Sequence, residues 1–413
     1  MLQGALGFLT FAAIAWAVSE NRRAVDFKAV AAGLAAQLVM GLVLMRVPGM
    51  AGIFAVLDKL VVALQKATLA GTGFVFGYVG GGPAPFVAAH PESSLVLAFQ
   101  SLPLILVIGA LSALFFYWRI LPRIVQGFAF ALRRTLGVGG ALGVVVSSNV
   151  FLGMIESSLL IRPYFTQLTR SELFVLMTCG MSMIAGTVMV VYATFLDGIV
   201  ANPLGQLLTA SLISAPAAIT IGRIMVPETE KATAGDVNPP DEYRSAMDAI
   251  AKGTQDGLHL LLAIVPMLIV LVALVALVNQ GLGFLPAWDG APITLQRLAG
   301  FAMAPVAWLM GVPWSDAQVA GGLLGTKLVL NEFVAYVDLS KLPADALAPK
   351  SRIVMTFALC SFANFGSLGI LIGGVATLAP QRRAEVASLG PRAILAGTIA
   401  SSMTGAVAGM LAG

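Results

Sequence analysis

Gly325-Thr326-Lys327-Leu328-Val329-Leu330-Asn331-Glu332-Phe333-Val334-Ala335-Tyr336 sets a lysine, an asparagine and a glutamate inside a chain otherwise composed for lipid. An ionisable group in hydrocarbon costs on the order of several kcal/mol unless it is paired or faces a wet cavity, so such a residue marks a functional site. The surroundings make the setting plain. Of 413 residues 58% are hydrophobic and only 11% charged, with a mean hydropathy of +0.92. Soluble domains carry roughly 25% charged residues. The fold class expected is an all-α polytopic membrane protein.

Eight apolar runs are long enough to cross a hydrocarbon core of about 30 Å: residues 2–18, 27–45, 95–118, 173–195, 204–225, 258–278, 353–376 and 393–411. The first lacks a basic region before it and a small-residue cleavage pattern after it. It runs into Glu20-Asn21-Arg22-Arg23, so it reads as a retained span rather than a signal peptide. With both termini outside, the threading puts Arg22, Arg23, Lys28, Arg119, Arg123, Arg133, Arg134, Arg162, Arg170, Arg223, Lys231, Arg244, Lys252, Arg382, Arg383 and Arg392 in the cytoplasm. Only Arg46, Lys59, Lys66, Arg297, Lys341, Lys350 and Arg352 fall outside, as the positive-inside rule requires. The basic residues flank spans instead of forming a stripe, so the net charge of +4 does not point to nucleic acid.

Two further apolar stretches, 138–164 and 318–337, are interrupted by glycine, asparagine and charge and are expected to be re-entrant hairpins. Each follows a short segment of mixed polarity, 122–136 or 295–309, read as a helix along the interface. Each precedes a span broken by small or polar residues, at Thr178–Thr187 and Cys360–Ser367, and then a final span. The threading opens the first hairpin to the cytoplasm and the second to the outside. Inverted repeats of that kind carry a site at the midplane and are the architecture of a secondary transporter. The chain divides into spans and an interfacial helix (1–94), a first repeat (95–226), a cytoplasmic linker and helix (227–257) and a second repeat (258–413). Residues 50–69, with Asp58, Lys59, Gln65 and Lys66 on one face, supply that interfacial helix, and Asn238-Pro239-Pro240 marks the linker.

Discontinuous helices free backbone carbonyls for a cation. Asn149, Leu152, Ser182, Met183 and Ile184 are the candidates; interhelical hydrogen bonding by the Ser and Asn is the plainer alternative. Glu156 and Glu332 hold corresponding places in the two repeats and are expected to face one cavity. Asn364 and Ser367, three residues apart, would share a helical face. These groups suit an uncharged polyhydroxylated or amide-bearing solute, with a structural Lys327–Glu332 ion pair as the alternative for that carboxylate. Cys179 and Cys360 lie in apolar runs and are read as structural. His90 and His259 lack metal-ligand spacing and are read as interfacial. The glycines of 71–82 lack the Lys-Ser/Thr ending of a phosphate loop. No catalytic residue, enzyme activity or bound cofactor is expected.

On these residues the chain resembles the concentrative nucleoside transporter family, of the bacterial eight-span type. The family pattern of Gly/Ala, Lys and Asn-Glu-Phe-Val-Ala-Tyr/Met/Phe is matched from Gly325 to Tyr336. Gly73-Phe-Val-Phe-Gly77, Gly153-x-x-Glu156-Ser157, Arg162-Pro163-Tyr164, and Phe362-Ala-Asn364 with Ser367 support the match. The resemblance implies a homotrimer in the bacterial inner membrane and mobile, elevator-type transport domains within a scaffold. It also implies nucleoside import by alternating access, coupled to sodium or protons. Glu332, Asn364 and Ser367, beside Phe362, would hold the ribose, and Gly153, Met154, Ile155 and Glu156 would address the base. Two departures stand out. Met154-Ile155 replaces the family's usual Gln-Thr, removing polar groups from the base side and leaving pyrimidine specificity open. Met183 occupies the place of a sodium-site serine while Ser182 lies one residue earlier, a turn of about 100° on a helix. The coupling ion therefore stays open between sodium and protons. Other readings on the same scaffold are uptake of a nucleobase or another small hydroxylated amide, or a receptor or channel without coupled transport.

Overall fold

The computed structural model describes residues 2–87, 96–161, 164–230, 233, 243–287, 290 and 292–412. His90, Arg162, Pro163, Lys231 and Asn238-Pro239-Pro240 lie outside them, as does the side chain of Ile155. The described residues contain α-helices, short 3-10 turns and no strand. Three N-terminal helices, α1 (Leu2–Ala17), α2 (Phe27–Arg46) and α3 (Pro48–Phe76), lead into α4 (Leu97–Gln100) and α5 (Leu104–Tyr117). The first repeat continues with the amphipathic α6 (Ile120–Leu136), the hairpin of α7 (Gly140–Asn149) and α8 (Met154–Leu159), the broken pair α9 (Arg170–Ser182) and α10 (Gly186–Phe195), and α11 (Pro203–Met225). After α12 (Ala246–Leu282) the plan recurs: α13 (Leu295–Leu309), the hairpin of α14 (Trp314–Val329) and α15 (Glu332–Lys341), the broken pair α16 (Pro349–Leu359) and α17 (Phe365–Leu378), and α18 (Arg383–Leu411).

Among the described residues, six helical stretches are long and apolar enough to cross a membrane: Phe27–Arg46, Leu97–Tyr117, Arg170–Phe195, Pro203–Met225, Ala246–Leu282 and Pro380–Leu411. Of the eight runs read from the sequence, the first folds as the 16-residue α1, and 353–376 is divided between α16 and α17. Two boundaries move. The interfacial helix expected over 50–69 belongs to the 29-residue α3, where Asp58 Oδ1 accepts the Leu204 N–H at 3.0 Å at the start of α11. One of the charges that suggested a wet face is thus spent on a neighbouring helix terminus. Likewise α12 runs for 37 residues through the expected boundary at 257/258, with Gly253, Gly257 and Pro266 all inside the helix.

The core sits where α9, α11, α16 and α18 pack together. The apolar window of α12 is only 6% buried, so that helix stands at the periphery. It meets α5 through glycines: a Cβ on Gly109 would lie 2.5 Å from Gly253 O, and one on Gly257 would lie 2.9 Å from Ile105 O. Small residues allow backbones this close without lipid between them. A belt of charges ties one end of the molecule. Glu20, after α1, accepts from Arg170 at 2.9 Å and from Arg392, while Arg170 and Arg382 reach Glu385 at 3.5 and 2.7 Å.

Candidate functional site

Both expected breaks exist, and each has a local cause. α9 stops at Ser182, Met183 turns to extended backbone (φ −127°, ψ 167°), and the chain re-enters a helix at Gly186. A side chain at Gly186 would meet Phe151 O at 2.6 Å, whereas the Gly186 N–H donates to that oxygen at 3.2 Å. The turn of the first hairpin is thereby stitched to the first break. Asn149 adds a second stitch, its Nδ2 donating to Cys179 O at 2.9 Å. At the other break Asn364 caps α17, its Oδ1 accepting the Ser367 N–H at 2.8 Å. Asn364 and Ser367 are therefore cap and first turn, not two residues on one helical face.

Asn331 caps α15 in the same way, accepting the Val334 N–H at 2.9 Å, which brings Glu332 to the first position of that helix. The termini of α8, α10, α15 and α17 all reach a cavity of about 220 Å³, through Gly153, Thr187, Asn331 and Asn364. Helix N-termini carry partial positive charge and free N–H groups, so they favour carboxylates and electronegative solute atoms. Glu332 is 5% exposed. Its Oε1 accepts from Tyr192 OH at 2.8 Å and its Oε2 from Asn364 Nδ2 at 2.9 Å. A carboxylate has about four acceptor sites, so hydroxyls from a solute can still be accommodated.

Glu156, in the first turn of α8, folds its carboxylate back beside Gly153 at the start of that helix. It lines both this cavity and an adjoining one of about 140 Å³ that continues to Asp256 and Tyr243. The two repeats thus bring Glu156 and Glu332 to one space, with Met154, Gly153, Phe362, Asn364 and Ser367 around it. Met154 is mostly withdrawn, its side chain lying against Gly180. The opposite wall is α12, contributing Leu260, Ala263, Ile264, Met267 and Leu271.

Lys327 and Glu332 are not an ion pair. The ammonium instead donates to Ala358 O at 2.8 Å and Ser401 Oγ at 3.0 Å. Among the candidate cation ligands, the carbonyls of Ser182, Met183 and Ile184 receive no hydrogen bond from the described residues. The Met183 side chain is fully buried, and Ser182 Oγ turns back to Cys179 O at 3.4 Å, away from the role of the missing serine. Asn149 Oδ1 is 3.4 Å from Ser157 Oγ. Uncharged oxygens of this kind suit a monovalent cation held by carbonyls. No group of three His, Cys, Asp or Glu that could hold a metal occurs among the described residues.

Tyr192 was not singled out from the sequence. Besides donating to Glu332 it stacks on Tyr336 at 4.8 Å, and Tyr336 OH donates to Thr356 O at 2.8 Å. A lone phenol in the apolar run Val188–Phe195 was the available signal, since a buried Tyr hydroxyl needs a partner.

A mostly apolar cavity that four helix N-termini and a buried carboxylate reach, in a polytopic membrane protein, defines a solute carrier. Comparison with known proteins gives the family. Residues 6–79 and 206–409 match the N- and C-terminal descriptions of the Na+ dependent nucleoside transporter, and residues 98–198 match one described as nucleoside recognition. Over 418 residues the chain is 37% identical to the uncharacterized transporter YutK of Bacillus subtilis, covering 99% of both chains. It is 31% identical to the nucleoside permease NupC of Helicobacter pylori, covering 99% of this chain and 97% of the permease. A structure of CNTnw in an inward-facing substrate-bound state matches with a TM-score of 0.91 at 32% identity, over 100% of this chain and 97% of that one. A variant of CNTnw in an outward-facing state matches at 0.88 and 31% identity, over 99% and 97%. The chain belongs to the concentrative, Na+ dependent nucleoside transporter family, whose members are transporters and not enzymes.

Proposed function

We propose that this protein imports nucleosides by symport with sodium, carrying the solute at the cavity between its two hairpins. The observation that carries the reading is the clamp on Glu332. Tyr192 and Asn364 fix the carboxylate from two sides and leave it open to the cavity, as recognition of vicinal hydroxyls requires. Ribose meets Glu332, Asn364 and Ser367 beside Phe362, and the base lies toward Gly153, Met154, Ile155 and Glu156. Sodium binds where the first hairpin is stitched to the first break, using Asn149 and the carbonyls of Leu152, Ser182, Met183 and Ile184. Movement is of the elevator type, with eight spans, re-entrant hairpins and both termini outside, in a homotrimer of the bacterial inner membrane.

Uptake into proteoliposomes tests the solute reading. Glu332→Gln removes charge-assisted hydrogen bonds worth about 1.5–3 kcal/mol, so uptake falls by roughly ten- to a hundred-fold while the folded protein is retained. Wild-type uptake by that variant would remove Glu332 from the site. The apolar Met154-Ile155 tip favours one second reading, a ribose-free cargo such as a nucleobase. Competition by ribose-bearing against ribose-free compounds separates the two. For the coupling ion, uptake is expected to rise with external sodium at fixed pH and to lose that rise in Asn149→Ala. Uptake driven by an imposed pH gradient in choline, and unchanged on adding sodium, would replace sodium by the proton.

A further inference from the structure

The two repeats finish their broken spans differently. An α-helix leaves its last four carbonyls without intrahelical partners. At the end of α16 all four are taken: Thr356 O by Tyr336 OH, Phe357 O by the Cys360 N–H, Ala358 O by Lys327 Nζ and Leu359 O by the Ser361 N–H. At the end of α9, Cys179 O accepts Asn149 Nδ2, but no donor among the described residues reaches Ser182 O, nor Met183 O and Ile184 O beyond it.

Asn149 and Lys327 hold equivalent places. Each lies in the last turn of the first helix of its hairpin and donates to a carbonyl in the last turn of the helix before the break. One supplies a neutral amide, the other a full positive charge. Lys327 is 3% exposed and forms no ion pair with a carboxylate among the described residues. Its surroundings are instead those of a bound monovalent cation: the carbonyl end of α16, with its partial negative charge, and the hydroxyl of Ser401 on α18.

We propose that Lys327 is a resident cation. Its ammonium fills, in the second repeat, the position that the coupling cation takes at the break of the first, so the carrier has one exchangeable cation site and couples one cation per solute. The part concerning the first repeat rests on the sodium reading above; the part concerning Lys327 does not. A charge tethered to α14 cannot diffuse away, and it denies the place to a second metal ion.

The test separates the two parts. Purified Lys327→Ala, which leaves a hole the size of a small amine, is melted with methylammonium chloride or with choline chloride at equal ionic strength. Methylammonium is expected to raise its melting temperature saturably and to leave wild type unmoved, because a ligand that binds only the folded state stabilises it by mass action. Choline is too large to enter and is expected to do nothing. Lys327→Met keeps the length without the charge; it is expected to melt below wild type and to ignore methylammonium. If Lys327→Met melts with wild type, or if methylammonium leaves Lys327→Ala unchanged, the proposal is overturned. Should Lys327→Ala yield no folded protein, the wild type decides. The slope of its sodium activation and the charge moved per solute, read from reversal potentials, are both expected to be about one. A slope of about two overturns the proposal. Rescue by methylammonium alongside sodium-independent uptake would discard the sodium reading and keep Lys327 as the resident cation.

Discussion

Glu332 and Met154 show how differently two residues of one cavity are constrained. Glu332 is held at both oxygens, so its position is set before any solute arrives, and preorganisation of this kind limits the entropy lost on binding. Met154 is largely withdrawn against Gly180, and the base-side role proposed for Met154 and Ile155 leaves two apolar residue types where a polar edge would be met. Met154→Gln with Ile155→Thr is therefore expected to raise affinity for pyrimidine nucleosides relative to purine nucleosides, by about 1 kcal/mol for each neutral hydrogen bond gained. Competition series on the double variant measure this. Unchanged relative affinities would mean that the tip of the first hairpin does not read the base.

At the scale of the helix, the breaks were readable because small and polar residues, and the hairpins because glycine, asparagine and charge, interrupt apolar runs that would otherwise continue. The hairpins follow from the same punctuation, at Ser147–Gly153 and Lys327–Glu332. What escaped the sequence is what distant segments contribute. Tyr192 is 140 residues from Glu332, and Lys327 finds Ala358 and Ser401 at separations of 31 and 74. Proximity suggested a Lys327–Glu332 pair, but helix geometry sends the two side chains to different partners. The far end of α3 and the continuation of α12 were missed because Gly71 and Gly257 lie at the expected boundaries, yet each helix runs on through its glycine. The stitch between the first hairpin and the first break gives a test at this scale. Gly186→Ala would force a Cβ to 2.6 Å from Phe151 O. Overpacking of this kind costs about 1–3 kcal/mol. The variant should melt lower and need more sodium for half-maximal uptake, which thermal unfolding and sodium titration would report. An unchanged sodium requirement would uncouple the stitch from the ion.

Across the whole molecule, Glu20 joins the turn after α1 to α9 and α18. The hydrogen bond from Arg170, reinforced by the charges of Arg170 and Arg392, holds its carboxyl below the ordinary value of 4.5. A depressed carboxyl contributes stability that is complete above its unfolded value and lost as pH falls through the folded one. The belt is largely exposed and screened, so the contribution is at most about 1 kcal/mol. Glu20→Gln should thus melt slightly below wild type near neutral pH, and the gap should close in acid and shrink in high salt. A gap that persists in acid would point to a cause other than the charge. The wall supplied by α12 has a consequence of another kind. Among the described residues, the hydrogen bonds in the cavity come from the hairpins and broken helices, while Leu260, Ala263, Ile264, Met267 and Leu271 present apolar side chains. A greased surface keeps no register. On the elevator reading proposed above, cargo gripped by the polar half is drawn past these five side chains against dispersion forces alone, which change little from one methyl group to the next, so resistance to sliding stays low until the adjoining cavity brings it to Asp256 on the same helix.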